Sequence, residues 1–185
     1  SQYNVQHMDM NGNSELAVPQ NTLGAELRQL ENKQWEQITL PHTPFVEPLT
    51  VLHQWQGICY YKKKITITPE EAKKHIWIEF EGAMHLADVW INGKHVMQHA
   101  GGYTPFVVDA TGLLKTDKEN ELLVRLDNRN NSLIPPGKPL ETLDFCYYGG
   151  IYRNVHLIAK ADVHITHPIL DGHPAGAGIF ITYPK

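Results

Sequence analysis

The sequence predicts an all-β protein, an antiparallel β-sandwich of the jelly-roll type. Short segments alternate between apolar and polar residues with a period of two, as a strand with one buried face does. Turn-forming Gly, Pro and Asn residues separate these segments. The stretches between them lack a long run with the 3.6-residue period of an amphipathic helix. Many short strands of this kind pack most readily as two antiparallel sheets.

A tight hairpin is the clearest single element. Asn92-Gly93 lies between two apolar-rich runs, residues 89–91 and 95–97. An Asn-Gly pair tolerates positive φ at both central positions of a two-residue hairpin turn. The following Gly101-Gly102 is a second turn signal. We therefore expect two paired strands here and then a connection that crosses between the sheets.

Other strands follow from the same alternation. Residues 75–81 place every second apolar side chain on one face, and residues 121–127 do the same, as residues 155–159 do more weakly. The predicted inward side chains are Ile76, Ile78, Phe80, Leu122, Val124 and Leu126. Trp90 falls on the opposite face from its neighbours and is predicted to pack on the sheet, with sugar stacking as the alternative. Residues 22–30 are predicted to form a short helix.

Composition excludes several classes of function. Hydrophobic residues make up 42% and charged residues 19% of the 185 positions, which is typical of a folded globular chain. The formal charge is -4 and no dense basic run is present, which argues against nucleic-acid binding. No apolar stretch approaches the roughly 20 residues that span a bilayer, and the first residues lack the pattern of a signal peptide. We expect a soluble chain as given.

Four short motifs occur in an order that resembles one family. They are W-E-Q-I-T-L-P-H at residues 35–42, G-I-C-Y-Y-K-K at residues 57–63, W-I-N-G followed by H-A-G-G-Y-T-P-F at residues 90–106, and Y-G-G-I-Y-R-N-V at residues 148–155. Together they resemble the N-terminal domain of family 2 glycoside hydrolases, the β-galactosidase, β-glucuronidase and β-mannosidase relatives. The resemblance implies a galactose-binding-domain-like jelly roll.

The resemblance also implies a domain organisation. Residues 1–34 would be an N-terminal extension, residues 35–162 the sugar-binding-type sandwich, and residues 163–185 the opening strands of an immunoglobulin-like domain. The two catalytic glutamates of these retaining enzymes lie on a downstream barrel, so this chain would be a non-catalytic part of a β-galactosidase-type hydrolase. The implied partners are that barrel, a β-galactoside or related glycan, and further copies in a homo-oligomer. Periplasmic or secreted location is favoured over cytoplasmic.

Two side chains are candidates for binding substrate, and both come from the resemblance. In the β-galactosidase branch an asparagine and an aspartate reach from this domain into the barrel pocket, and the matching positions are Asn92 and Asp144. Asn92 has an alternative role as a turn residue. The aspartate helps to hold a monovalent cation in some galactosidases, with its other ligands on the barrel. Galactosidases carry a Trp close behind this aspartate, whereas Asp144 precedes Phe145, so the subsite geometry differs.

Several alternatives remain open. A freestanding carbohydrate-binding module would have the same fold, and so would the equivalent domain of a β-glucuronidase or β-mannosidase, although Asp144 would repel a uronate carboxylate. Glu79 and Glu81 are predicted to lie on a solvated face rather than to form a catalytic pair. The spacing of His164 and His167 predicts opposite faces of a strand, and no metal site is predicted. The two cysteines establish neither a disulfide framework nor a metal site.

Overall fold

The computed structural model describes the backbone of residues 2–8 and all of residues 30, 35–45, 54–173, 176, 178–179 and 181–184. Within these residues the chain forms nine strands and two short 3-10 helical turns. The strands are β1 Gln2–Met8, β2 Glu36–Thr39, β3 Ile58–Ile65, β4 His75–Phe80, β5 Leu86–Ile91, β6 Lys94–Ala100, β7 Phe106–Asp109, β8 Asn120–Asp127 and β9 Val155–Lys160; the turns are Glu71–Lys73 and Leu140–Thr142.

Two sheets face each other, which confirms the predicted all-β sandwich. The larger sheet has the order β2-β1-β3-β8-β5-β6 and the smaller has the order β7-β4-β9. Every pairing between these strands is antiparallel. No helix in the described part of the chain is long and apolar enough to cross a bilayer. In sandwiches of this kind the connecting loops commonly carry the functional side chains.

The core lies between the sheets and is built from the predicted alternation. The six side chains expected to point inward are all fully buried: Ile76, Ile78, Phe80, Leu122, Val124 and Leu126. Phe80 stacks on Phe106 with ring centroids 4.5 Å apart, and this contact joins β4 to β7 inside the core. The period-two pattern thus identified the buried face of β4 and that of β8.

The Asn92-Gly93 hairpin is confirmed in detail. Asn92 has φ of 52° and Gly93 has φ of 78°, the positive values that the two-residue turn requires. β5 and β6 pair from Leu86 opposite Ala100 to Ile91 opposite Lys94. This end of the sandwich is therefore closed by a rigid turn.

The first strand lies in the segment predicted to be an N-terminal extension. β1 lies between β2 and β3 and pairs with both, so residues 2–8 are part of the larger sheet. Polar residues dominate this segment, and its only apolar alternation is too short to stand out from a loop. The predicted helix at residues 22–30 lies outside the described residues except for Leu30, which is buried.

The outer face of the larger sheet is also covered. Trp90 is buried there with Ile58, Tyr60 and Leu123, and Leu30 packs on the same cluster. This contact confirms the prediction that Trp90 packs on the sheet.

Charged side chains lie buried next to that cluster. Asp88, Arg125 and Asp127 are each at most 2% exposed. The Arg125 guanidinium lies 3.6 Å from the Asp88 carboxylate and 3.5 Å from that of Asp127. Arg129 also pairs with Asp127, at 2.7 Å. Opposite charges are thus matched where water is excluded.

Two histidines in the C-terminal segment lie differently from their prediction. Residues 161–173 form no strand, and the apolar side chains of this region point outward, with Val163 94% exposed. His164 and His167 do not face opposite sides; both rings contact Trp77, at 5.1 and 5.5 Å between centroids. The spacing argument failed because it assumed a strand. The immunoglobulin-like assignment of residues 163–185 stays a prediction.

Candidate functional site

The long connection between β8 and β9 covers one end of the sandwich. β5 begins and β8 ends there, with Leu86 paired to Asp127, and Met84 forms a bridge to Gly150 just beyond. Asp144 lies in this connection and its side chain is exposed. The residue before it, Leu143, is buried in a small cluster with Met84, Leu140 and Tyr147. An exposed carboxylate is therefore presented on a loop whose flanks are packed.

Tyr147 ties the loop to two other parts of the chain. Its hydroxyl bonds to Nδ1 of His85, and its ring lies edge-on to the imidazole at 5.7 Å. Its backbone N–H donates to Oε1 of Gln54. Burial raises the pKa of the Tyr147 hydroxyl, which therefore stays protonated near neutral pH.

Two asparagines hold the first half of the same connection. Asn128 Oδ1 accepts from the N–H of Gly57 at 2.8 Å, and its Nδ2 donates to the carbonyl of Trp55 at 3.0 Å. Asn130 Oδ1 accepts from Gln56 at 2.6 Å and from the N–H of Leu140 at 3.0 Å. The segment before β3 and the connection after β8 are thus joined into one rigid platform.

Gly150 allows the chain to turn from the end of the β8–β9 connection towards β9. Its φ is 97°, and a Cβ there would lie 2.7 Å from the carbonyl oxygen of His42. Only glycine has both the conformational freedom and the space. The Gly149-Gly150 pair thus returns the chain from the site loop to β9.

The structure does not bring Asn92 and Asp144 together. Asn92 follows the last residue of β5, whereas Leu143, the neighbour of Asp144, clusters with Met84 just before β5. The six residues of that strand span about 16 Å. The Asn92 amide is used inside the domain: Nδ2 donates to the Leu113 carbonyl at 3.1 Å and to Asn120 at 2.9 Å, and Oδ1 accepts from Glu121 N–H at 3.1 Å. This geometry favours the turn role of Asn92 over sugar binding.

We expect Asn92→Ala to destabilise the domain by about 2–3 kcal/mol, because it loses these hydrogen bonds and places alanine at positive φ. Urea unfolding of the chain measures the change. Asn92→Gly is the matched control. Glycine accepts the positive φ and loses only the side-chain hydrogen bonds, so its loss of stability should be smaller. An unchanged urea midpoint for Asn92→Ala would contradict the stabilising role of the Asn92 side chain.

Stability should depend on pH through His85. This imidazole is 2% exposed, and desolvation lowers its pKa to about 4. An exposed imidazole titrates near 6.5, so the unfolded chain binds more protons than the folded chain between pH 4 and 6.5. The free energy of unfolding is therefore highest above pH 6.5 and falls by about 3 kcal/mol as the pH drops to 4.

Urea unfolding at pH 7.5, 5.5 and 4.5 tests this dependence. The His85→Gln variant should flatten the slope, because glutamine does not titrate. His75→Gln, at a half-exposed imidazole, should leave most of the slope in place. Equal slopes for the native chain and His85→Gln would contradict the role given to His85.

The other candidate groups have ordinary structural partners. Glu81 contacts His156 at 2.9 Å and Glu79 contacts His167 at 3.5 Å, so the two carboxylates are engaged separately. In the part of the chain that the structure describes, no three His, Cys, Asp or Glu side chains converge as a metal site would require. Cys59 is buried and Cys146 is partly exposed, and both are free thiols.

Fold and site together define a class of protein. An antiparallel β-sandwich carries a braced loop that presents the exposed carboxylates of Glu141 and Asp144. A β-sandwich that presents polar side chains on its connecting loops is typical of a binding module.

Comparison with known proteins gives the family. Residues 6–161 match the family model of the glycosyl hydrolases family 2 sugar binding domain. A β-galactosidase of Thermoanaerobacter pseudethanolicus is 33% identical over 153 residues, 81% of this chain and 20% of that protein. A β-glucuronidase of Bacteroides fragilis is 37% identical over 135 residues, 70% of this chain and 18% of that protein. The chain belongs to glycosyl hydrolase family 2, as its N-terminal sugar-binding domain.

A solved structure supports the same assignment. The crystal structure of a Bacteroides uniformis β-glucuronidase superposes with a TM-score of 0.66 at 27% identity, over 92% of this chain and 18% of that one. The chain thus spans about a fifth of the length of these relatives. The residues that the structure describes form the sandwich and contain no barrel.

Proposed function

We propose that this domain completes the substrate pocket of a retaining glycosidase, with Asp144 as the side chain that contacts the sugar. The observation that carries the proposal is the exposed Asp144 carboxylate on a loop braced at both flanks. A carboxylate accepts hydrogen bonds from sugar hydroxyls. A braced loop holds it in place without losing much conformational entropy on binding.

The substrate class is a β-galactoside or a β-glucuronide. Relatives with both names match this chain at similar identity, so the repulsion expected between Asp144 and a uronate does not decide between them. Hydrolysis of p-nitrophenyl β-galactoside and β-glucuronide by the full-length protein that carries this chain would decide it. The chain alone should hydrolyse neither, because it lacks the barrel. Hydrolysis by the chain alone would overturn the proposal.

The isolated chain should also bind sugar very weakly. A sugar site needs several polar groups that converge in a pocket, and the described loop offers only two exposed carboxylates, those of Glu141 and Asp144. We expect a dissociation constant above about 10 mM for galactose and lactose, less than about 3 kcal/mol of binding free energy. Isothermal titration measures it. Saturable binding below that range would favour the alternative, a freestanding carbohydrate-binding module.

The proposal extends to the assembled enzyme. A homo-oligomer, a periplasmic or secreted location and a monovalent cation shared with the barrel all remain predictions from the resemblance. Sedimentation of the full-length protein, fractionation of its cells and assays with and without sodium or potassium would test them.

A further inference from the structure

The Asp144 loop has an anchor that the resemblance did not suggest. Tyr147 lies three residues after Asp144, so the chain between them reaches at most about 11 Å. Tyr147 is buried, while Asp144 and Phe145 are exposed. The position of the carboxylate is therefore limited by where Tyr147 is held.

Tyr147 is held at two independent points. Its hydroxyl bonds to His85, the residue just before β5, and its backbone N–H bonds to Gln54, which precedes β3. These contacts join the loop to both neighbours of β8 in the larger sheet. A loop fixed to two strands cannot swing as a lid about either one.

The contact between Gln54 and the Tyr147 N–H has an energetic cost. Gln54 is buried, and its Nε2 has no hydrogen-bond partner among the described residues. A buried donor left unsatisfied destabilises the folded state. An apolar side chain would avoid that cost but could not accept from the Tyr147 N–H.

The chemistry of the His85 contact suits a permanent anchor. Burial lowers the pKa of His85 and raises that of Tyr147, so the imidazole is neutral and the phenol is protonated at neutral pH. A neutral Nδ1 can then accept from the hydroxyl. Neither group changes charge near pH 7, so the hydrogen bond between His85 and Tyr147 does not depend on pH there.

We propose that Tyr147, held by His85 and Gln54, is a positioning residue that fixes the Asp144 carboxylate for substrate. The inference rests on the proposed function of Asp144. The claim that the Tyr147 contacts order the loop can be tested without assuming that function. Tyr147→Phe removes the hydroxyl and keeps the ring in its cluster. Tyr152→Phe is the matched control, because its hydroxyl donates to the Gly102 carbonyl at the same end of the domain.

The first experiment measures loop order in the 185-residue chain. The NMR order parameter of the Asp144 amide should be about 0.85 in the native chain and measurably lower in Tyr147→Phe, which loses the His85 contact and keeps the Gln54 contact. Tyr152→Phe should leave it unchanged. An Asp144 amide that stays ordered in Tyr147→Phe overturns the anchor, whatever the enzyme assays give.

The second experiment is a double-mutant cycle in the full-length enzyme. Tyr147→Phe should lower kcat/KM about tenfold when Asp144 is present and have no further effect in Asp144→Asn. Equal losses in both backgrounds would mean that Tyr147 acts only on stability and would overturn the positioning role. If Asp144→Asn alone leaves kcat/KM unchanged, the proposed function fails, while the loop measurement still decides the anchor.

Discussion

Replacing Asp144 by alanine in the full-length enzyme should lower kcat/KM on the preferred glycoside by more than tenfold, about 1.4 kcal/mol of transition-state stabilisation. The carboxylate is exposed, so its loss should not disturb the domain, and the effect should arise from the missing contact with a sugar hydroxyl. Steady-state kinetics on p-nitrophenyl glycosides, together with a thermal unfolding curve, measure both quantities.

Asp117→Ala is the matched control for this change. Asp117 is also exposed, but it lies in the connection just before β8, next to the Asn92 end of the sandwich. Its loss should leave kcat/KM unchanged. If the two variants behaved alike, Asp144 would have no special part in the reaction.

The largest effect on stability is expected at Arg125. Arg125→Leu removes a fully buried guanidinium and leaves the carboxylates of Asp88 and Asp127, both buried, without its charge. Breaking a buried ion pair in this way costs about 3–5 kcal/mol. Since a domain of this kind is stable by about 5–15 kcal/mol, the urea midpoint should fall steeply.

Two further variants separate the charge effect from the loss of packing. Adding Asp88→Leu to Arg125→Leu removes one of the stranded carboxylates and should recover part of the loss. Lys64→Met breaks a pair of 2.8 Å with Glu119, yet both side chains are mostly exposed, so the midpoint should stay unchanged. If Arg125→Leu were equally harmless, the buried network would not contribute to stability.

Local sequence patterns were enough to predict much of the sandwich. The hairpin followed from Asn92-Gly93, and the core faces of β4 and β8 followed from strict alternation. β1 could not be predicted in the same way, because its place between β2 and β3 depends on partners more than 25 residues away. Asp88 and Arg125 alternate as solvent-facing residues do, but they are buried because the outer face of their sheet is covered.

The site was only partly predictable. Asp144 came from the resemblance, and the structure adds why it is exposed and held. Its supports could not be found by pattern, because His85 and Gln54 lie 62 and 93 positions from Tyr147 in the sequence. Asn92 was selected by the same resemblance, yet its amide is bonded within the domain at the other end of β5.

A crystal structure of the full-length enzyme with a bound glycoside inhibitor tests the central claim most directly. We predict that an Asp144 carboxylate oxygen lies about 2.5–3.0 Å from a sugar hydroxyl, with the Asn92 hairpin turned away from the pocket. An occupied pocket in which Asp144 points into solvent, beyond hydrogen-bonding distance of any sugar atom, would contradict the account.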